Sequence, residues 1–160
     1  MLWRGLTLRQ TILDGLCILL CIASLICVFA LYGDLPERIP MNYGFHGEIT
    51  GYGSKASIFI LLGVMYLMTA TFSVLLRVKA FYRHMNIPWP VPWGKQPEVV
   101  SVTKEFMCWS NLCLTVGNAY LLYGCINGAL NTLLVWVPYI ALLALLIWYL
   151  LRLRQICLDL

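Results

Sequence analysis

The side chains able to do acid–base, nucleophilic or metal chemistry are few in this chain, and their spacing limits what they can do. The two histidines, His46 and His84, are separated by an uncharged apolar run from Ala56 to Leu76. A run of that length crosses a bilayer, which puts the two imidazoles on opposite faces, unable to share one ion. No H-E-x-x-H helix motif is present, so no metal site and no zinc peptidase is expected. Asp34, His46 and Ser54 could be written as a serine triad, but Ser54 sits in no G-x-S-x-G elbow and reads as a helix cap. The stretch from Gly47 to Lys55 has the look of a phosphate loop, yet Gly53-Ser54-Lys55 reverses the Gly-Lys-Ser order that loop requires. No catalytic residue and no cofactor is expected, and the chain reads as non-enzymatic.

Two groups of residues are better suited to binding. Ser54 and Lys55 precede an apolar helix, where unpaired backbone N–H groups and the helix dipole favour an anion. A lipid phosphate or a peptide carboxylate would fit there; the plainer alternative is a lysine snorkelling to the membrane interface. Asn111, Thr115 and Asn118 fall at i, i+4 and i+7, on one helical face. Lipid cannot satisfy their amides and hydroxyl, so the face should turn into a bundle, as interhelical hydrogen-bond glue or as a solvated path. Cys17, Cys21 and Ser24 form a small-residue packing face on the first helix, and Gly63, Ala70 and Ser73 form one on the second. Asp14 reads as a first-turn acid stabilised by the helix dipole. The seven cysteines form no C-x-x-C pair and read as packing residues, a Cys27–Cys125 disulfide being the alternative.

The elements that must position these residues follow from composition. Apolar residues make up 61% of the chain and charged ones 11%, against about 45–50% and about 25% in soluble domains. The expected solvent is lipid, and the 160 residues form one integral membrane domain. The fold class is all-α: a four-helix transmembrane bundle of two hairpins, with helices over about 12–32, 56–76, 106–126 and 132–151. Thr11 and Asp14 have capping-box spacing for the first. Acidic and proline residues, not a small-residue cleavage site, follow it, so it is expected to stay uncleaved. The third is the weakest in apolarity, but the run from Thr132 to Leu151 holds twelve Leu, Ile and Val residues and must insert beside it. Pro138 is expected to bend that fourth helix.

The net charge of +4 does not point to nucleic acid, because the basic residues flank the apolar runs. Nine (Arg4, Arg9, Arg77, Lys79, Arg83, Lys95, Lys104, Arg152 and Arg154) fall on one side; Arg38 and Lys55 fall on the other. Both termini are therefore expected in the cytoplasm, with the middle segment 77–105. Its Ile87-Pro88-Trp89-Pro90-Val91-Pro92-Trp93 stretch should be extended, Trp89 and Trp93 resting on the inner head groups, with partner docking as the alternative. Pro97 and Glu98 suit the first turn of a lead-in to the third helix.

The loop 33–55, on the outer side, contains Pro36, Pro40, Gly44, Gly47, Gly51 and Gly53 and is expected to consist of turns rather than a long strand or helix. Its aromatics Tyr43, Phe45 and Tyr52 should fold it back over the helix ends. Leu35, Pro36, Ile39, Pro40, Tyr43, Gly47, Tyr52, Gly53, Ser54 and Lys55 match a recurring pattern. In these residues the loop resembles the bacterial membrane family designated domain of unknown function 1648. It departs from that pattern at Asn42, where many members carry histidine, and at Thr50 and Gly51, where an acidic residue is common. The family includes the immunity protein against a sporulation-delaying peptide toxin. The resemblance implies a small protein of the bacterial plasma membrane, with immunity or envelope signalling as a role.

The resulting expectation is a protein that senses, or protects against, an envelope-active peptide toxin or anionic lipid. Asn42, Tyr43, His46, Tyr52, Ser54 and Lys55 would form its recognition surface. The alternative is a transporter or channel subunit that uses Asn111, Thr115 and Asn118. The bilayer, and a homo-oligomer or membrane partner, complete the expected associations; nucleic acid does not.

Overall fold

Helix α1 (Leu8–Leu31) starts at a reciprocal cap. The Thr7 hydroxyl accepts from the Gln10 amide at 3.3 Å, and the Gln10 side chain accepts from the Thr7 amide at 3.0 Å. This corrects the cap expected at Thr11 and Asp14. Thr11 already lies inside the helix, its hydroxyl donating to the Thr7 carbonyl at 3.1 Å. Asp14 is therefore beyond the first turn and is not a dipole-stabilised acid; its partners are described below. The computed structural model describes residues 5–44 and 46–158, so Arg4 and Phe45 lie outside the described residues.

The chain is mostly helical (71%), but it is not all-α. The segment expected to consist of turns rather than a long strand or helix forms an antiparallel hairpin of two short strands, β1 (Arg38–Tyr43) and β2 (Ile49–Ser54). Ile39 lies opposite Gly53 and Pro40 opposite Tyr52, with irregular pairing around Asn42. Two of the glycines that suggested turns serve close approach instead. A Cβ on Gly53 would stand 2.7 Å from Met41 Cγ, and one on Gly51 would stand 2.8 Å from Asn42 Nδ2. Ser54 caps the next element as expected, accepting from the Ala56 amide at 3.4 Å, through a short 3₁₀ turn (Lys55–Ser57) into α2 (Ile58–Leu75).

After the short α3 (Lys79–Arg83), α4 runs unbroken from Gln96 to Asn127, with Pro97 and Glu98 in its first turn. The lead-in and the third apolar run are thus one helix, beginning ten residues before the start expected at 106. It ends at Gly128, whose backbone is left-handed (φ 67°). Helix α5 (Thr132–Leu158) extends seven residues past the expected end at 151. Its Pro138 packs where α4 has Gly117, at which a Cβ would stand 3.4 Å from Pro138 Cγ.

Helix α4 is the central element, packed against α1, α2 and α5. It explains a difference from the expected four spans. Three helical stretches, Leu8–Leu31, Lys55–Leu75 and Thr132–Leu158, are long and apolar enough to cross a membrane, and α4 is not among them. Its polar residues Thr103, Ser110, Asn111 and Thr115 are buried by its neighbours, so its own mean hydropathy need not be high. The other three helices leave Leu19, Ile26, Ile60, Leu67, Ile140 and Leu143 exposed, which marks a membrane protein.

Packing also settles the Pro/Trp segment. Met85, Ile87, Trp89 and Val91 turn inward onto Val99, Leu153 and Ile156, at the end of the molecule opposite the hairpin. Alternate positions 86, 88 and 90 point outward, the period-two pattern of extended chain. Trp89 packs, half-buried, against this intramolecular core, whereas Trp93 is fully exposed. Gly63 and Ala70 are exposed rather than packed, against expectation, and among the described residues all seven cysteines are free thiols, with Cys27 exposed and Cys125 buried.

Candidate functional site

Two regions bring chemistry-bearing side chains together: the hairpin over one end of the helices, and a polar column between α1, α2 and α4.

The hairpin is two-faced. Leu35 and Ile39 are buried in the cluster formed by Val28, Ile58, Leu62 and Leu122. The Tyr43 hydroxyl donates to the Gly124 carbonyl at 2.7 Å, tying β1 to the last turn of α4. Burial pushes the Tyr43 phenol up to about 12 from an ordinary value near 10. An acid whose folded value is raised binds its proton more tightly when folded, so its contribution is constant below about pH 10 and is lost between about 10 and 12. Tyr43→Phe is expected to cost about 1 kcal/mol and to remove that alkaline weakening, measured as thermal midpoint against pH.

Asn42, His46, Tyr52 and Ser54 are exposed on the hairpin. The His46 backbone amide donates to Glu48 Oε2 at 3.0 Å. Beside His46 opens a cavity of about 700 Å³ lined by Tyr120, Tyr123, Leu130, Asn131 and Thr132. The Tyr120 hydroxyl accepts from the Asn131 amide at 3.0 Å, and the Tyr120 and Tyr123 rings stack at 6.1 Å. These α4–α5 residues were not anticipated; the one sequence signal was a pair of tyrosines at i and i+3 beside a Gly/Asn-rich turn. Lys55 stands apart from the cavity. Its Nζ pairs with Glu37 Oε1 at 2.9 Å and lies 5.4 Å from the Tyr32 ring centre. The carboxylate that Lys55 holds is this chain's own.

In the polar column, Asn111 and Thr115 face the interior as expected, each almost completely buried. Thr115 Oγ1 donates to Asn111 Oδ1 at 3.5 Å and lies 3.1 Å from Thr69 Oγ1. Thr69 Oγ1 in turn accepts from Cys21 Sγ at 3.3 Å. Asn118 stands further along and only half-buried, its amide 4.0 Å from Met68 Sδ. Asn111 Nδ2 is buried with no hydrogen-bond partner among the described residues. Closer to the hairpin-distal end, Asp14 is 2% exposed. Its carboxylate accepts from the Ser73 hydroxyl and from Arg77 at 2.7 Å. No group of His, Cys, Asp and Glu among the described residues has the arrangement of a metal site.

A mostly helical chain with three stretches long and apolar enough to cross a membrane, and a two-stranded hairpin, defines a membrane protein. Residues 19–66, from mid-α1 through the hairpin to mid-α2, match the family described as Domain of unknown function (DUF1648). No curated protein and no solved structure matches.

Proposed function

We propose that this is a non-enzymatic membrane protein of the bacterial plasma membrane, with four spans and cytoplasmic termini, whose hairpin recognises an envelope-active peptide or lipid. Helix α4 supplies the fourth span, shielded by its neighbours, and the excess of Lys and Arg at the hairpin-distal end sets the orientation. The observation that carries the reading is the cavity of about 700 Å³ between the hairpin tip and the α4–α5 turn, with imidazole, phenol and amide groups at its rim. Its size suits a peptide side chain or a lipid head group, and the Tyr43 anchor keeps the hairpin in place beside it. Sensing and immunity both use such a surface.

The reading is tested in proteoliposomes of mixed neutral and anionic lipid, challenged with a cationic amphipathic helical peptide as probe. The protein is expected to reduce dye leakage, and Tyr123→Ala or His46→Ala to lose most of that protection at unchanged protein level. Equal leakage with and without protein would refute it. A second reading, solute transport, is favoured by one observation: the buried Asn111 side-chain N–H group, which has no partner among the described residues and could donate to water or a solute. Flux across the same vesicles, abolished by Asn111→Leu and Asn118→Leu, would establish it instead.

A further inference from the structure

The hydrogen-bonding pattern of the hairpin leaves one strand edge open. The Lys55 amide donates to the Glu37 carbonyl at 3.1 Å, which makes residues 37 and 55 a hydrogen-bonded pair. Pairs alternate along an antiparallel ladder, so residues 39 and 53 bond to each other, while 38, 40, 52 and 54 turn their backbone groups outward. Pro40, which has no N–H, stands at one of these outward positions. On the β1 side the edge is guarded, by Pro40 and by the packing of β1 against α4. On the β2 side no such guard stands among the described residues. The sheet has two strands, and Ile49–Ser54 contains neither proline nor a charged residue. Strands that stay single normally carry such residues to prevent pairing.

We infer that β2 pairs with β2 of a second copy of this chain, joining two hairpins into a four-stranded sheet. The strand is self-complementary. Antiparallel pairing centred on Tyr52 sets Tyr52 opposite its counterpart, Thr50 opposite the second copy's Ser54, and Gly51 opposite the second copy's Gly53. No like charges meet, and the backbone groups of Tyr52 gain partners. The symmetry fits the membrane, because two copies inserted in the same direction are related by a two-fold axis along the bilayer normal. Antiparallel pairing puts that axis through the sheet from face to face, which requires the exposed face of β2, Thr50, Tyr52 and Ser54, to turn away from the bilayer. Chain continuity then brings α2 close to its copy. Its exposed stripe, Ile60, Gly63, Leu67, Ala70 and Val74, includes Gly63, where a Cβ would meet nothing within 4 Å. Small residues at such positions let two helices approach closely. A shared sheet would also place two copies of the recognition surface side by side.

The full chain in lipid nanodiscs and native membranes provides the test. In a Cys27→Ser background, which removes the exposed native thiol, Tyr52→Cys should form disulfide-linked dimers on mild oxidation, and Glu48→Cys, away from the two-fold, markedly fewer. Tyr52→Lys should raise the dimer dissociation constant at least about ten-fold, an edge charge opposing its own copy. Tyr52→Phe should leave it unchanged, since the pairing uses the backbone. A monomeric wild type at high density in the membrane, equal cross-linking at 48 and 52, or an undiminished Tyr52→Lys dimer would each overturn the inference.

Discussion

Replacing Arg77 with methionine is expected to destabilise the protein by roughly 3 kcal/mol, whereas Asp14→Asn should cost only about 1 kcal/mol. The two residues form one ion pair, but they are unequally placed. Asp14 is 2% exposed on its side chain, and Arg77 is 51% exposed. Removing the arginine leaves a carboxylate inside the helix bundle with only the Ser73 hydroxyl to solvate it. Removing the carboxylate's charge leaves a guanidinium that already reaches solvent and still donates to the Ser73 carbonyl at 2.7 Å. Solvent screens the exposed partner, so the loss falls almost wholly on the buried one. Thermal unfolding of both variants in the same lipid would show the asymmetry. Equal losses, or the reverse order, would show that Asp14 is solvated in the membrane.

That ion pair illustrates how far the sequence could be read. The apolar runs of α1, α2 and α5, the Ser54 cap and the inward Asn111–Thr115 face were legible, because each follows from local spacing and lipid's inability to bond polar groups. Asp14 was not. Thr7 and Thr11 both offer a cap, and only the reciprocal Gln10 bond decides for Thr7, which moves Asp14 from the helix start into the bundle. Its partner Arg77, far along the chain, is set by tertiary packing alone. The hairpin was missed for a similar reason. Prolines and glycines at 36, 40, 51 and 53 have the composition of turns, while the strand pairing depends on Ile39 and Leu35 being pulled into the core. The Trp89 segment read correctly as extended, but what it packs against is another non-local fact. The cavity beside His46 joins residues from the hairpin and the α4–α5 turn, which spacing along the chain cannot connect.

Gly47 ties these levels together, and Gly47→Ala is expected to cost roughly 3 kcal/mol and to lift the hairpin from the α4–α5 turn. Two penalties coincide there. The backbone is left-handed (φ 86°), a conformation that opposes any side chain, and a Cβ would stand 2.8 Å from the Leu130 carbonyl oxygen. That oxygen is main chain at the start of the turn into α5, so it cannot rotate aside as a side chain would. Gly94 supplies the control: its φ is 90°, yet a Cβ there would meet nothing within 4 Å. Gly94→Ala should therefore cost about 1 kcal/mol, from backbone strain alone. The difference between the two isolates the hairpin's docking. Limited proteolysis should cleave Gly47→Ala within the hairpin and spare Gly94→Ala there. Detached from the turn, Tyr43 should give up its bond to Gly124, so Gly47→Ala should also lose the alkaline weakening that Tyr43→Phe abolishes. If both glycine variants behave alike, the hairpin is not held against the turn by this contact, and the cavity beside His46 has no fixed wall.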